Sequence, residues 1–109
     1  MIHFDFRELC EKPFAVRCPT EAEAETLFGF LLNETDVRWC THDLPKCTNY
    51  DIYREGTHYY FGSTSYGLTY GNGGWAAAHG AHILSVTEFL EMYRETPVED
   101  DIPDFSDIL

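Results

Sequence analysis

Residues 12–34 read KPFAVRCPTEAEAETLFGFLLNE, a strand pattern running directly into a helix pattern. In KPFAVRC, Phe14, Val16 and Cys18 alternate with Ala15 and Arg17, the period of a half-buried strand. Pro13 stands at its start, where a missing N–H costs little. Thr20 is the expected N-cap of the helix, and Glu23 completes a capping box. Glu21, Glu23 and Glu25 suit the positive end of the helix dipole. Ala24, Leu27, Phe28, Leu31 and Leu32 fall on one stripe, the face a helix buries. Gly29 lowers helix propensity and is expected to allow close packing.

Working outward, VRWC predicts a short second strand with Val37 and Trp39 on one side. THDLPKCTNYDIYREG has no sustained period and predicts a loop with one helical turn. THYYFG and YGLTYG, separated by STS, predict a hairpin. NGGWAAAHG predicts a short helix ending at Gly80, and AHILSV a last strand. Ser85 and Glu88 form a second capping box, opening a helix that Pro97 is expected to stop. The fold class expected is α/β of the α+β kind: one mixed sheet of four or five strands, with two main helices packed on one face. The Phe14/Val16 strand is expected to be central, with Leu27, Phe28, Leu31, Trp39, Ile83 and Phe89 in one core. Residues 1–96 form the expected single domain and 97–109 an acidic C-terminal tail.

A chain of 109 residues, 44% hydrophobic and 16% aromatic, can bury a core without disulfides or a metal. Nineteen acids against seven Lys plus Arg give a formal net charge of −12. A negative field of that size disfavours nucleic acid and anionic membranes and attracts basic protein grooves. The start, MIHFDFRELCEKPF, lacks the basic leader and apolar core of a signal peptide, and no run reaches the length of a membrane span. The four cysteines are accordingly expected to be reduced thiols in the cytoplasm of a host bacterium.

Chemistry-bearing groupings are sparse. Cys40, His42 and Cys47 offer zinc-type ligands, but the thiols are seven positions apart and no CxxC occurs. GNGGW lacks the Lys and Ser/Thr of a phosphate loop, so its glycines are read as turn residues. His79 and His82 are interrupted by Gly80 and Ala81, and no nucleophile motif accompanies them. The expectation is no enzyme activity, no catalytic residue and no cofactor. Tyr50, Tyr53, Tyr59, Tyr60, Phe61, Tyr66, Tyr70 and Trp75 form an aromatic series, with Phe61 and alternate tyrosines expected in the core and the rest on a face suited to binding.

KPFAVRCPTEAEAETLFGFLLNETDVRW, together with YGNGGW and HILSVTEFL, resembles a group of small phage and prophage proteins of Firmicutes across roughly residues 12–92. The resemblance implies a mobile-element origin and carries over no catalytic residue. By analogy with small acidic phage proteins, the implied role is inhibition of a host defence machine, as anti-CRISPR proteins do. The expected partner is a basic host protein, Cas9-like nucleases being the leading class, with no direct nucleic acid or membrane contact; a homo-oligomer stays open. The acids assigned to partner binding are Asp43, Asp51 and Glu55 in the loop, then Glu99, Asp100, Asp101, Asp104 and Asp107 in the tail, with Phe105 as an apolar anchor. Two alternatives stand beside it: a sponge for a nucleotide immune signal in an aromatic pocket, and a structural or regulatory phage protein with a zinc site.

Overall fold

The computed structural model describes the backbone of residues 1–101 and the side chains of residues 1–93. Its elements are α1 (Phe6–Leu9), β1 (Phe14–Arg17), α2 (Glu21–Glu34), α3 (Tyr50–Tyr53), a 3-10 turn (Arg54–Gly56), β2 (Thr57–Phe61), β3 (Thr69–Asn72), α4 (Gly74–His79), β4 (His82–Ser85) and α5 (Val86–Asp101). The four strands make one mixed sheet in the order β3-β2-β1-β4. β1 is interior, antiparallel to β2 and parallel to β4, as expected of the Phe14/Val16 strand. β2 and β3 form the antiparallel pair foreseen as a hairpin. No helix among the described residues is long and apolar enough to cross a membrane.

The sheet has two unequal faces. Phe14, Val16, Tyr59, Phe61 and Leu84 join the large core with Leu27, Phe28, Leu31 and Phe89 of α2 and α5. Ala15 and Tyr60, alternating with them, point the other way and pack against Ala76 of α4. Phe61 is the hub of the large side: its ring stacks on Phe14 at 4.8 Å and meets Phe89 at 5.3 Å. Aromatic pairs of this kind contribute about 0.5–1.5 kcal/mol each beyond their burial.

The Ser85/Glu88 capping box forms in full, and the Thr20/Glu23 box in part, since Glu23 meets the Thr20 hydroxyl and not its backbone N–H. Thr20 Oγ1 accepts the Glu23 backbone N–H at 3.2 Å, and its hydroxyl donates to Glu23 Oε2 at 3.1 Å. Ser85 Oγ accepts the Glu88 N–H at 3.1 Å, while Glu88 Oε1 accepts the Ser85 N–H at 2.8 Å. Gly80 closes α4 in the left-handed conformation.

Several expectations are corrected. VRWC is not a strand: Trp39 makes an isolated bridge to Leu68. The Trp39 N–H turns instead to the Asp43 carbonyl, and the His42 N–H to the Trp39 carbonyl, which curls the chain away from the sheet. Ile83 is 44% exposed because it pairs with Ala15 on the face that only the short α4 covers. On α2, Phe30 is buried and Leu32 only half-buried, so the buried stripe is shifted. Gly29 packs against nothing; a Cβ there meets no atom within 4 Å. The helical backbone passes Pro97 and runs to Asp101, since proline removes one ladder hydrogen bond without obliging a helix to end. Tyr60 is buried as well as Tyr59 and Phe61, because Trp75 and Ala76 of α4 cover it on the second sheet face.

The N-terminal segment belongs to the core as well. Ile2 bridges Thr35 beyond α2, Asp5 caps α1, and Phe4 and Phe6 are buried. His3 Nδ1 lies 2.5 Å from Asp36 Oδ2, and Asp36 Oδ1 accepts the Phe4 N–H at 2.8 Å.

Candidate functional site

The segment between α2 and β2 is irregular because nothing in its sequence holds a period, yet it is pinned to the sheet. Tyr59, fully buried in β2, donates its hydroxyl to the Thr48 carbonyl at 2.6 Å. Tyr50 donates to the Pro19 carbonyl at 2.7 Å, and Pro45 is buried. His42 and Asn49 take positive φ values of 75° and 56°, which turn the chain sharply at two points. An exposed segment is thereby held in place by buried anchors.

This platform carries the three loop acids. Asp43 is exposed, its carboxylate accepting the Thr41 hydroxyl at 2.9 Å. It stands at a cleft of about 420 Å³ whose apolar walls are Trp39, Leu44, Leu68 and Tyr70, with Lys46 as the cation lining it. Asp51 lies on α3 and Glu55 in the 3-10 turn, both exposed, two positions either side of Tyr53. The Tyr53 ring meets Tyr70 edge-on at 5.9 Å, and Tyr70 meets Trp39 at 5.6 Å. A line of rings thus joins the Asp43 cleft to the Asp51/Glu55 turn.

The tail acids are a separate matter. Glu99, Asp100 and Asp101 lie on the helical backbone of α5, and nothing is described of their side chains. Asp104, Phe105 and Asp107 lie outside the described residues.

Several groups able to do covalent or acid–base work are sealed or already engaged, while Cys10, Cys47 and His82 stand exposed. Burial, reinforced by Glu23, pushes the Cys18 thiol up to about 12, far from a reactive thiolate. Burial likewise raises the Tyr59 phenol. His3, exposed, is raised by its hydrogen bond to Asp36. His79 stacks on Trp75 at 4.5 Å and bonds the Trp75 carbonyl, and His58 is buried against the Gly56 carbonyl. Cys40 and Cys47 both line the cleft, but His42 does not, and no three His, Cys, Asp or Glu among the described residues gather as a metal site.

A second depression lies on the β3 side of the sheet. Tyr53, Tyr60, Ser63, Thr69, Asn72 and Trp75 line a groove of about 480 Å³. Its rings belong to the aromatic series, but α3 is remote in sequence from β3 and α4, and only the folded sheet brings them together. No family model, no curated protein and no solved structure matches the chain at a significant level.

Proposed function

We propose that this chain is a non-enzymatic protein of a phage or other mobile element that inhibits a host defence machine, by laying an acidic surface into a basic nucleic-acid-binding groove. The observation that carries this reading is the platform: Asp43, Asp51 and Glu55 stand exposed on a segment that Tyr50 and Tyr59 hydrogen-bond to the folded body. Charges held in place lose less freedom on docking than charges on a loose chain, so more of their attraction survives as affinity. The net charge of −12 supplies long-range steering toward a cationic groove. Cas9-like nucleases are the leading partner class, because their nucleic-acid channels are strongly basic.

The direct test is a cleavage assay with a purified guide-loaded Cas9-like nuclease. The chain is expected to slow DNA cleavage when added before the DNA and to lose its effect as salt rises. Unchanged cleavage across a panel of such nucleases, with no salt-sensitive complex, defeats the reading. Deleting residues 97–109 in the same assay separates the tail from the platform.

The Trp39 cleft favours one second reading, a sponge for a nucleotide signal. Its aromatic wall suits a base, and Lys46 suits a phosphate. Thermal stabilisation by cyclic nucleotides, abolished in Trp39→Ala and Lys46→Ala, is the result expected of it. The zinc reading has no ligand cluster among the described residues to support it.

A further inference from the structure

Residues 56–87 contain no Asp, Glu, Lys or Arg, in a chain where 24% of residues are charged. The stretch is instead rich in Tyr, Ser, Thr, Gly and Asn, with Trp75. Folding turns this into a polarised surface. β2, β3 and α4 come from the charge-free stretch, while α3 and the 3-10 turn bring Asp51, Arg54 and Glu55 beside them. The groove between Tyr53 and Trp75 lies at that boundary, and no charged side chain lines it.

The chemistry of the lining is specific. Tyr60, 4% exposed, floors the groove and meets Trp75 at 5.1 Å. His79, stacked on Trp75, steadies the indole. The Tyr60 hydroxyl donates to the Asn72 carbonyl at 3.2 Å and its oxygen takes a bond from the Trp75 backbone N–H, so Tyr60 offers the groove its ring rather than a free acceptor. Ser63 and Thr69 share one hydrogen bond at 2.6 Å, so this pair retains acceptor capacity. Aromatic faces with neutral acceptors, next to a segment carrying two acids, Asp51 and Glu55, and one cation, Arg54, fit a planar cation better than a compact one. A guanidinium is weakly hydrated, stacks on rings and donates in its own plane, whereas an ammonium gives up a tighter hydration shell. Interface cores are likewise depleted of charge and enriched in Tyr and Trp, with charged groups at the rim.

We propose that the groove between Tyr53 and Trp75 takes an arginine side chain of a basic partner segment, with Asp51 and Glu55 at its margin. This rests on the acidic-surface reading above and locates the contact where that surface turns neutral. The acids bring the partner in; the rings hold it.

The test is an NMR titration of the intact ¹⁵N-labelled chain with two capped hexapeptides of alternating glycine and arginine or glycine and lysine, at low ionic strength of about 50 mM. The expected result is a perturbed Trp75 indole N–H and perturbed Ser63 and Thr69–Asn72 amides, with arginine about fivefold tighter than lysine. Trp75→Ala and Tyr53→Ala, each checked for a native amide spectrum, should weaken the arginine peptide about five- to tenfold, while Trp75→Phe keeps most of the binding. Equal affinity for both peptides, or shifts confined to the Asp43 cleft, overturns the groove assignment and leaves the acidic-surface reading standing. No binding of either peptide overturns both.

Discussion

The hydroxyl of Tyr59, a fully buried residue of β2, donates to the carbonyl of Thr48, eleven positions earlier in the irregular segment, at 2.6 Å. That bond ties the acid-bearing platform to the sheet. Tyr59→Phe keeps the ring and deletes the donor, so it should cost about 0.5–1.5 kcal/mol in urea unfolding. It should also speed proteolytic cutting between residues 40 and 56 more than cutting elsewhere. If proteolysis of that segment is unchanged, the platform is held by other contacts and the preorganisation argument weakens.

Phe28 is 3% exposed and packs between Trp39 at 5.4 Å and Tyr59 at 4.7 Å. Phe28→Ala leaves a cavity under both rings and should cost about 3–5 kcal/mol. Circular dichroism in the near ultraviolet should lose intensity as well, since Trp39 loses its fixed neighbour. A cost under about 1 kcal/mol would contradict the packing described.

Much of this fold is legible in the sequence because local chemistry and tertiary need coincide there. The strand at Phe14–Arg17 and the capping pairs Thr20/Glu23 and Ser85/Glu88 are legible in their own residues, although the strand is buried on both faces rather than half-buried, since Ala15 packs with Tyr60 and Ala76. Where tertiary contacts decide, the pattern misleads. Ile83 alternates correctly, but alternation does not say that only α4 covers its face. Trp39 sits in a strand-like tetrapeptide, yet a turn through His42 at positive φ redirects it. α1 is only four residues long, too short to show a period; Asp5 before Phe6 was its one available signal. The acids of the candidate site are visible as composition. The Tyr53–Trp75 groove is not, since it forms only when Tyr53 of α3 comes beside Tyr70 of β3 and Trp75 of α4 beside Tyr60 of β2.

Two glycines should respond to alanine in opposite directions. Gly29 lies on the exposed side of α2 with open space around its missing Cβ, so Gly29→Ala should stabilise by about 0.5–1 kcal/mol through helix propensity. Gly67 has φ +145°, and a Cβ there would lie 2.6 Å from the Arg38 carbonyl oxygen. Gly67→Ala should therefore destabilise by about 1–3 kcal/mol and loosen the Leu68 bridge to Trp39. Denaturant midpoints of the two variants on opposite sides of the parent are the expected measurement.

The His3–Asp36 pair predicts a pH window. The hydrogen bond to Asp36 raises His3 above its ordinary 6.5, so its contribution is complete below about pH 6.5 and fades as pH rises through the folded value. Partial burial pushes Asp36 upward, but the bonds from His3 and the Phe4 N–H hold it below its ordinary 3.8. Its contribution is complete above that value and fades as pH falls through the folded one. The pair therefore acts most fully between about pH 4 and 6.5. Asp36→Asn should lower the His3 ring titration midpoint toward 6.5, and the Tm gap between parent and variant should be widest inside that window. A His3 midpoint that does not move on Asp36→Asn would show that the pair does not form in solution.

The acids themselves give the last expectation. Asp43, Asp51 and Glu55 are exposed, so neutralising them to Asn, Asn and Gln should leave folding stability within about 0.5 kcal/mol of the parent. Binding of the alternating glycine–arginine peptide should nevertheless weaken by about five- to tenfold at low salt, as each exposed ion pair lost is worth about 0.2–1 kcal/mol. The deficit should shrink as ionic strength rises and the Debye length falls below the spacing of the charges. Neutralising Glu99, Asp100 and Asp101 to Gln, Asn and Asn provides the comparison, because those acids lie far along the chain from the groove-forming segments. If the platform acids matter through proximity to Tyr53, their loss should outweigh that of the α5 acids at equal charge change. Equal effects from both sets would mean that total charge alone attracts the peptide, and that Asp51 and Glu55 have no special place at the margin of the groove.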